Sequence, residues 1–354
     1  MASTYKNFLG SDVASTKTLL HEAIPITGTI LSGTYATDGN IKYFAHGIFE
    51  AVYDYPYLSS SANHIFDITA GYASGSSFQN SANTQNAKKI NVYNQFAQVL
   101  VPYDVTGNIQ NFDQDGDIAA GGKKMDSCYF ISFSRLLVKD EIKKGTFRYT
   151  HFGNNPVGLP FGIMGPDPAV VIGDYGAATS YKVNSPTGEY GILRSGSADG
   201  IIVGHVYYQA GIAVLTSSVF EGATPTTNTS RVVTTGATTG SHADLFKDTT
   251  IDQIANAVRY AYVNIDFNNT TELNSTIYFA RANTADYNYS SNPTYLSSSK
   301  IVVKGNNSFA EPVSYITTVG LYSADNELLA VAKLSEPLKK TPSNELTLRV
   351  RLDY

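Results

Sequence analysis

Residues 345–353, "ELTLRVRLD", constrain the fold more than any other stretch, because Leu346, Leu348, Val350 and Leu352 alternate with Glu345, Thr347, Arg349, Arg351 and Asp353. A period of two puts all the apolar side chains on one side of a strand, so this segment needs a sheet neighbour and a core beneath it. The same demand recurs just upstream. In "YITTVGLYSADNELLAVAKLSEPLKK", Tyr315 to Lys340, two apolar runs flank a polar turn and predict a β-hairpin. Ile316, Val319, Leu321, Leu328, Leu329, Ala330, Val331 and Leu334 leave neither face of that ribbon consistently polar. Both faces then require cover, from the same domain or from a neighbouring subunit.

Further strands are predicted in "CYFISFSRLL", where Phe130, Ser132 and Ser134 alternate with Tyr129, Ile131 and Phe133, and in "TFRYTHF", reached through the connector "KDEIKKG". "GIIVGHVYY" and "GIAVLTSSVF", separated by Gln209-Ala210-Gly211, add two more. Helices are few. "VASTKTLLHE", Val13 to Glu22, reads as a short helix stopped by Pro25, with a strand following in "ITGTILSGTY". "KKINVYNQFAQVLV" places Ile90, Tyr93, Ala97 and Leu100 on one helical stripe, with Asn86 as a cap and Pro102 as a terminator. Thr250-Ile251-Asp252-Gln253 fits a capping box, after which Ile251, Ile254, Ala255, Val258 and Tyr262 share one face. Runs of strands with few helices predict a mainly β or α+β protein of antiparallel, sandwich-like modules.

Composition shifts suggest where the modules divide. Past Asn154 the chain turns rich in Gly and Pro, and "EGATPTTNTSRVVTTGATTGSHAD" is a polar Thr/Gly stretch. The expected organisation is an α+β module over 1–155, a Gly/Pro/Thr-rich β module or insertion over 156–245, and a β module with one capped helix over 246–354.

With 30 acidic residues against 25 Lys and Arg, the chain lacks the cationic surplus that phosphate neutralisation needs, so no nucleic-acid contact is expected. The lysine pairs Lys88-Lys89, Lys123-Lys124, Lys143-Lys144 and Lys339-Lys340 read as solvated faces. Neither a leader nor an apolar run long enough to cross a bilayer is evident, so no membrane insertion is expected. Cys128 is the single cysteine and reads as a small buried side chain.

"FDQDGDIAAGGKK" offers the best imitation of a chemical site. Asp113, Asp115 and Asp117 present hard oxygen ligands, but Gly116 precedes the third acid and Lys124 stands where a helix-loop-helix calcium loop closes with Glu. A tight turn at Asp115-Gly116 is the expectation, with a weak cation site as the alternative. The same segment fails as a phosphate loop, because Gly122 stands where Lys is required. His21, His46, His64, His151, His205 and His242 show no zinc-ligand spacing. Glu50 with Asp54 is the kind of carboxylate pair a glycosidase would use, and Cys128 with a distant histidine could form a nucleophile and base. Neither has local support, so no catalytic, cofactor-binding or metal residue is assigned and no cofactor is expected. The Tyr-rich loops "YDYPY" and "YNYSSNPTY", the latter containing Tyr287, Tyr289 and Tyr295, offer rigid amphipathic contact area.

Several long segments carry a resemblance. "YFARANTADYNYSSNPTYLSSSKIVV" and "PVSYITTVGLYSADNELLAVAKLSEPLKKTPSNELTLRVRLDY" resemble the C-terminal region of uncharacterised virion structural proteins of tailed bacteriophages, particularly those with contractile tails. "LLHEAIPITGTILSGTY", "YDYPYLSSSANHIFDITAGY" and "GHVYYQAGIAVLTSSVFE" resemble earlier segments of the same group. The resemblance implies a baseplate, tail or neck component, made in the host cytoplasm and built into the virion beside copies of itself and other tail proteins. It supplies no functional residues. A receptor- or glycan-binding virion module is the alternative expectation, and a polysaccharide-degrading tail enzyme is a third.

Overall fold

The computed structural model describes residues 5–27, 39–118, 122–151, 170–220, 246–287, 296–297, 300–301 and 313–354. In chain order the strands are β1 (Val13–Thr27), β2 (Ile41–Tyr43), β3 (Glu50–Tyr53), β4 (His64–Tyr72), β5 (Ser127–Phe133), β6 (Glu141–Ile142), β7 (Arg148–His151), β8 (Val170–Gly173) and β9 (Lys182–Ser185). They continue with β10 (Gly188–Ser195), β11 (Ile202–Tyr207), β12 (Ile212–Thr216), β13 (Tyr262–Ala282), β14 (Leu296–Ser297), β15 (Lys300–Ile301), β16 (Ser314–Tyr322), β17 (Leu328–Lys340) and β18 (Leu346–Asp353). Among the described residues two helices exceed a single turn, α1 (Asn86–Leu100) and α2 (Ile251–Ala261). The protein is therefore mostly β, with a large antiparallel sheet and few helices.

The chain forms two compact units, a larger one of Leu20–Thr271 and a smaller one that joins Met1–Leu19 to Glu272–Tyr354. The expected boundaries near 155 and 245 both fall inside the larger unit. The reason is the ladder: β7, just before 155, pairs with β8 on one side and with the start of β13, beyond 245, on the other. Composition marks where chain is polar, whereas shared hydrogen bonds decide what belongs to one unit.

In the larger unit the strands run β13-β7-β8-β10-β11-β12-β5-β4-β3-β2, with β6 beside β13 and β9 beside β10. Both faces of the central strands are buried. Along β5, Tyr129, Ile131 and Phe133 enter one apolar cluster while Cys128 and Phe130 enter the other. Phe133 meets Phe267 of β13 at 5.3 Å between ring centroids, so the sheet curls until strands far apart in its order share one core. The second face is covered by α1, whose Tyr93, Ala97 and Leu100 are buried as the helical stripe predicts; Val92, off that stripe, is buried with them, and Ile90 is half-buried.

A glycine sets how closely α1 approaches. A Cβ on Gly71 of β4 would lie 2.4 Å from the Lys89 carbonyl oxygen and 2.8 Å from the Tyr93 nitrogen, so backbone rests on backbone there. The expected cap is not used: Gln85 precedes the helix with φ 53, and the Asn86 Oδ1 instead accepts a hydrogen bond from the Tyr72 hydroxyl at 2.8 Å. Lys89, expected on a solvated face, is fully buried, and its ammonium donates to the carbonyl oxygens of Phe246 and Thr249 at 2.7 Å each. Burial pushes its pKa down to about 8.

The capping box of α2 is present. The Thr250 backbone N–H donates to the Gln253 Oε1 at 2.9 Å, and the Gln253 N–H donates to the Thr250 hydroxyl at 3.3 Å. Ile251, Ile254, Ala255 and Val258 are buried, while Tyr262 already belongs to β13. The segment expected as a helix, Val13 to Glu22, is instead the body of β1, because β13 offers it a ladder. Tertiary pairing outweighs the weak local preference of these residues. The following strand, "ITGTILSGTY", lies outside the described residues beyond Thr27.

In the smaller unit β18 pairs with residues Ser275 to Ala282 of β13, and β16 and β17 form the predicted hairpin. The alternation in β18 is kept, with Leu346, Leu348, Val350 and Leu352 half-buried and the residues between them exposed. In the hairpin the pairs Ile316–Leu338, Val319–Ala332 and Leu321–Ala330 are the more buried face. The pairs Tyr315–Lys339, Thr318–Lys333, Gly320–Val331 and Tyr322–Leu328 are exposed.

Gly71→Ala is expected to cost about 2 kcal/mol or more, as overpacking of a dense contact does, and Thr250→Ala about 1 kcal/mol through the lost cap. Urea unfolding followed by circular dichroism measures both, and the first loss must exceed the second.

Candidate functional site

The acidic loop is a closed turn. The Gly116 N–H donates to the Asp113 carbonyl at 3.2 Å, the Asp115 N–H to the Asp113 Oδ1 at 3.3 Å, and the Asp117 N–H to the Asp115 Oδ1 at 3.2 Å. Gly116 sits at φ +72, and its oxygen accepts from the Tyr190 hydroxyl at 3.2 Å and the Asn184 amide at 2.9 Å. The carboxylates of Asp113, Asp115 and Asp117 lie within 4.8 Å of one another, so the loop does gather hard ligands. The Lys124 ammonium, however, is ion-paired with the buried Asp113 carboxylate, from the position where a calcium loop carries its closing Glu. Burial raises the Asp113 pKa against the pull of Lys124, while backbone and side-chain hydrogen bonds lower that of Asp115.

Behind this loop stands His205 on β11. It is buried, its Nε2 lies 3.3 Å from the Gln114 carbonyl oxygen, and its Nδ1 is enclosed without a hydrogen-bond partner. Burial pulls its pKa down to about 4, against the nearby Asp115 carboxylate and alongside the repulsion of Lys182. A neutral ring packed against Tyr190 and Tyr207 is a core residue.

The remaining candidates are separated by the fold. Cys128 is buried, its thiol donates to the Met125 carbonyl at 3.4 Å, and burial raises its pKa well above the usual thiol value, which disarms it as a nucleophile. Glu50 is buried in β3, whereas Asp54 lies past the end of that strand and accepts from the Asn63 N–H and side-chain amide at 2.6 and 2.7 Å. They do not form a facing pair. His64 pairs with Asp67 at 2.8 Å, the His46 ring accepts from the Ile48 N–H at 3.1 Å, and His21 meets Thr270 at 3.2 Å. His151 is buried, and His242 lies outside the described residues. Among the described residues, Asp113, Asp115 and Asp117 alone make a group that could hold a metal.

A further buried charge was not anticipated from sequence. Asp174 accepts from the Gly145 N–H at 2.6 Å, the Tyr208 hydroxyl at 3.0 Å and the Arg148 guanidinium at 3.1 Å. Burial raises its pKa and these donors oppose that rise. Its bonds tie the turn before β7 to the segments after β8 and β11, a structural knot.

The prominent concave feature lies in the smaller unit, a cleft of about 1210 Å³. Tyr5 and Phe8 line one part, Phe279 and Arg281 of β13 another, and Tyr315 and Tyr322 of β16 a third. Tyr5 meets Tyr322 edge-on at 4.9 Å, and Phe8 meets Tyr278 at 5.4 Å. Tyr287, singled out by its Tyr-rich loop, also lines the cleft, while Tyr289 and Tyr295 lie outside the described residues. The other loop exposes Tyr55 and Tyr57 in the larger unit. Sequence reading missed Tyr5, Phe8, Asp12 and Arg281. No local signal could have joined them, since Arg281 donates to Asp12 across 269 positions of chain.

No protein-family model matches this chain, and no curated protein or solved structure matches it at a significant level. No helix among the described residues is long and apolar enough to cross a membrane.

The His205 ring generates a pH dependence. Its folded pKa of about 4 lies below the ordinary 6.5, so the unfolded chain takes up the proton first as pH falls. Stability is then full above pH 6.5 and drains away down to about pH 4, with a loss of about 2 kcal/mol between pH 7 and pH 5. His205→Asn is expected to flatten that part of the profile in urea titrations at each pH, whatever its effect at pH 7.

Proposed function

We propose that this protein is a non-enzymatic structural component of a tailed-bacteriophage virion, in the tail or baseplate, that works by protein–protein assembly with copies of itself and other tail proteins. One observation carries the assembly reading. The hairpin of the smaller unit holds Tyr315, Tyr322, Leu328, Leu329 and Val331 at 44–68% exposure. Apolar and aromatic side chains grouped on one ribbon favour burial against another protein, at about 25 cal/mol per Å² of apolar area before ordering costs. An isolated two-stranded ribbon is also marginal in water, so a neighbour that covers it stabilises it.

The virion attribution is supported by the resemblance of the long segments quoted above. The chemistry of the larger unit fits a static role: among its described enclosed charges, Lys89, Asp113 and Asp174 are each committed to internal partners. Such groups hold segments together.

Leu329→Lys combined with Val331→Lys is expected to leave the protein folded, because both side chains are exposed, and to lower its incorporation into virions at least tenfold. Quantitative mass spectrometry of purified particles measures the incorporation. Wild-type protein absent from every virion layer, or a purified monomer that turns over a host polymer, would end the reading.

A further inference from the structure

Consecutive residues from Val313 to Gly320 line the cleft of the smaller unit. Side chains alternate across a strand, so a cavity lying over one face of β16 would meet every second residue. Contact with the unbroken run means that the cleft follows the side of the strand, where backbone N–H and C=O groups point. Among the described residues the backbone ladder of β16 is to β17 alone, with one side-chain bond from the Ser314 hydroxyl to the Tyr287 carbonyl at 3.0 Å, so the far side of the strand is an unpaired sheet edge. At 3.3 Å per residue the open run is about 26 Å long.

The opposite wall repeats the pattern. Phe279 to Ala282 also line the cleft consecutively, at the end of β13. β18 pairs with one side of these residues. On the other side β1 stops short. Thr16 lies against Ser275, His21 against Thr270, and Glu22 against Asn269, an antiparallel register that brings Val13, the first residue of β1, opposite Tyr278. No described strand continues along Phe279 to Ala282. Residues 5–12 run on beside this end of β13 without forming a strand, Lys6 on Asp286 and Asp12 on Arg281, so β16 carries the unpaired edge and the end of β13 flanks the same space.

Charge limits what can enter. The charged side chains lining the cleft are Lys6, Asp12 and Arg281. Lys6 is paired with Asp286 at 2.5 Å, and the Arg281 Nε donates to Asp12 at 2.7 Å, so each cation already has its counter-charge. A charged segment would lose water here without gaining an opposite charge, whereas an uncharged one loses little. Tyr5, Tyr315 and Tyr322 supply amphipathic surfaces for its side chains.

We propose that this cleft is a strand acceptor: an uncharged, extended segment of a partner protein enters it and adds a strand along β16, with the end of β13 as its second flank. The mode is β-augmentation, in which main-chain hydrogen bonds supply affinity and pockets for alternate side chains supply specificity. The inference rests on the assembly reading for the partner being a protein, and it places the contact at a strand edge. An oligosaccharide would occupy the same tyrosines but leave the periodic N–H and C=O groups of β16 without matching partners.

The test uses the full-length protein and two probes, an acetylated and amidated Thr-Val-Thr-Tyr-Thr-Val-Thr-Gly peptide and the neutral glycan cellohexaose. Hydrogen exchange read by mass spectrometry is expected to slow at least tenfold across Ser314 to Gly320 with the peptide, with β10 to β12 unchanged. Thr317→Lys, an exposed change that puts a charge on the open edge, is expected to weaken peptide binding at least tenfold in fluorescence anisotropy, while Thr317→Ser is neutral. Absence of protection over Ser314 to Gly320, binding indifferent to Thr317→Lys, or protection by cellohexaose alone overturns the proposal. These readouts are independent of particle incorporation, so the acceptor can fail while the assembly reading stands, and the reverse.

Discussion

Burial of the central strands on both faces is the constraint on which the larger unit depends. β5 cannot be satisfied by one core, since Tyr129, Ile131 and Phe133 point one way and Cys128 and Phe130 the other. The curling of the sheet supplies the first cover, bringing Phe147 and Phe267 onto Phe133. The α1 helix supplies the second, seated directly on the backbone of β4 where Gly71 carries no side chain.

The buried polar groups follow from that packing. Once α1 lies on β4, the Lys89 ammonium is sealed in and must find carbonyl oxygens, and it finds those of Phe246 and Thr249 just before α2. A charge that elsewhere would suggest catalysis here clamps one helix to the approach of the next. Asp174 does the same between Gly145, Arg148 and Tyr208. Asp113 does so within its own loop through Lys124. The perturbed ionisation of these three groups follows from enclosure, and each has an internal partner.

The smaller unit is built on the opposite principle. Among its described residues β16 keeps an unpaired edge, and its hairpin keeps one face, with exposed rings, turned to solvent. The open groups are where binding free energy is still available.

Much of this was legible in sequence because it is periodic. The alternation in residues 345–353, the strand at "CYFISFS", the stripe of α1, the capping box at Thr250 and the terminal hairpin all depend on neighbours within a few residues, where pattern and geometry are directly linked. The turn expected at Asp115-Gly116 was readable for the same reason, and it closes from the Gly116 N–H back to the Asp113 carbonyl. The candidate site was legible only in part: Tyr287 stood out, but Tyr5, Phe8, Arg281 and the tyrosines of β16 did not. Nor did sequence reveal that Val13–Thr27 is a strand, that Lys89 is buried, or that the chain divides at 19/20 and 271/272. Each of these depends on what a distant segment offers. β1 is extended because β13 presents a ladder, and Lys89 is enclosed because two carbonyls from the approach to α2 meet it. Local order was written in the sequence by side-chain period, while long-range partners were decided by tertiary structure, because hydrogen bonds and burial reward contacts regardless of their separation along the chain.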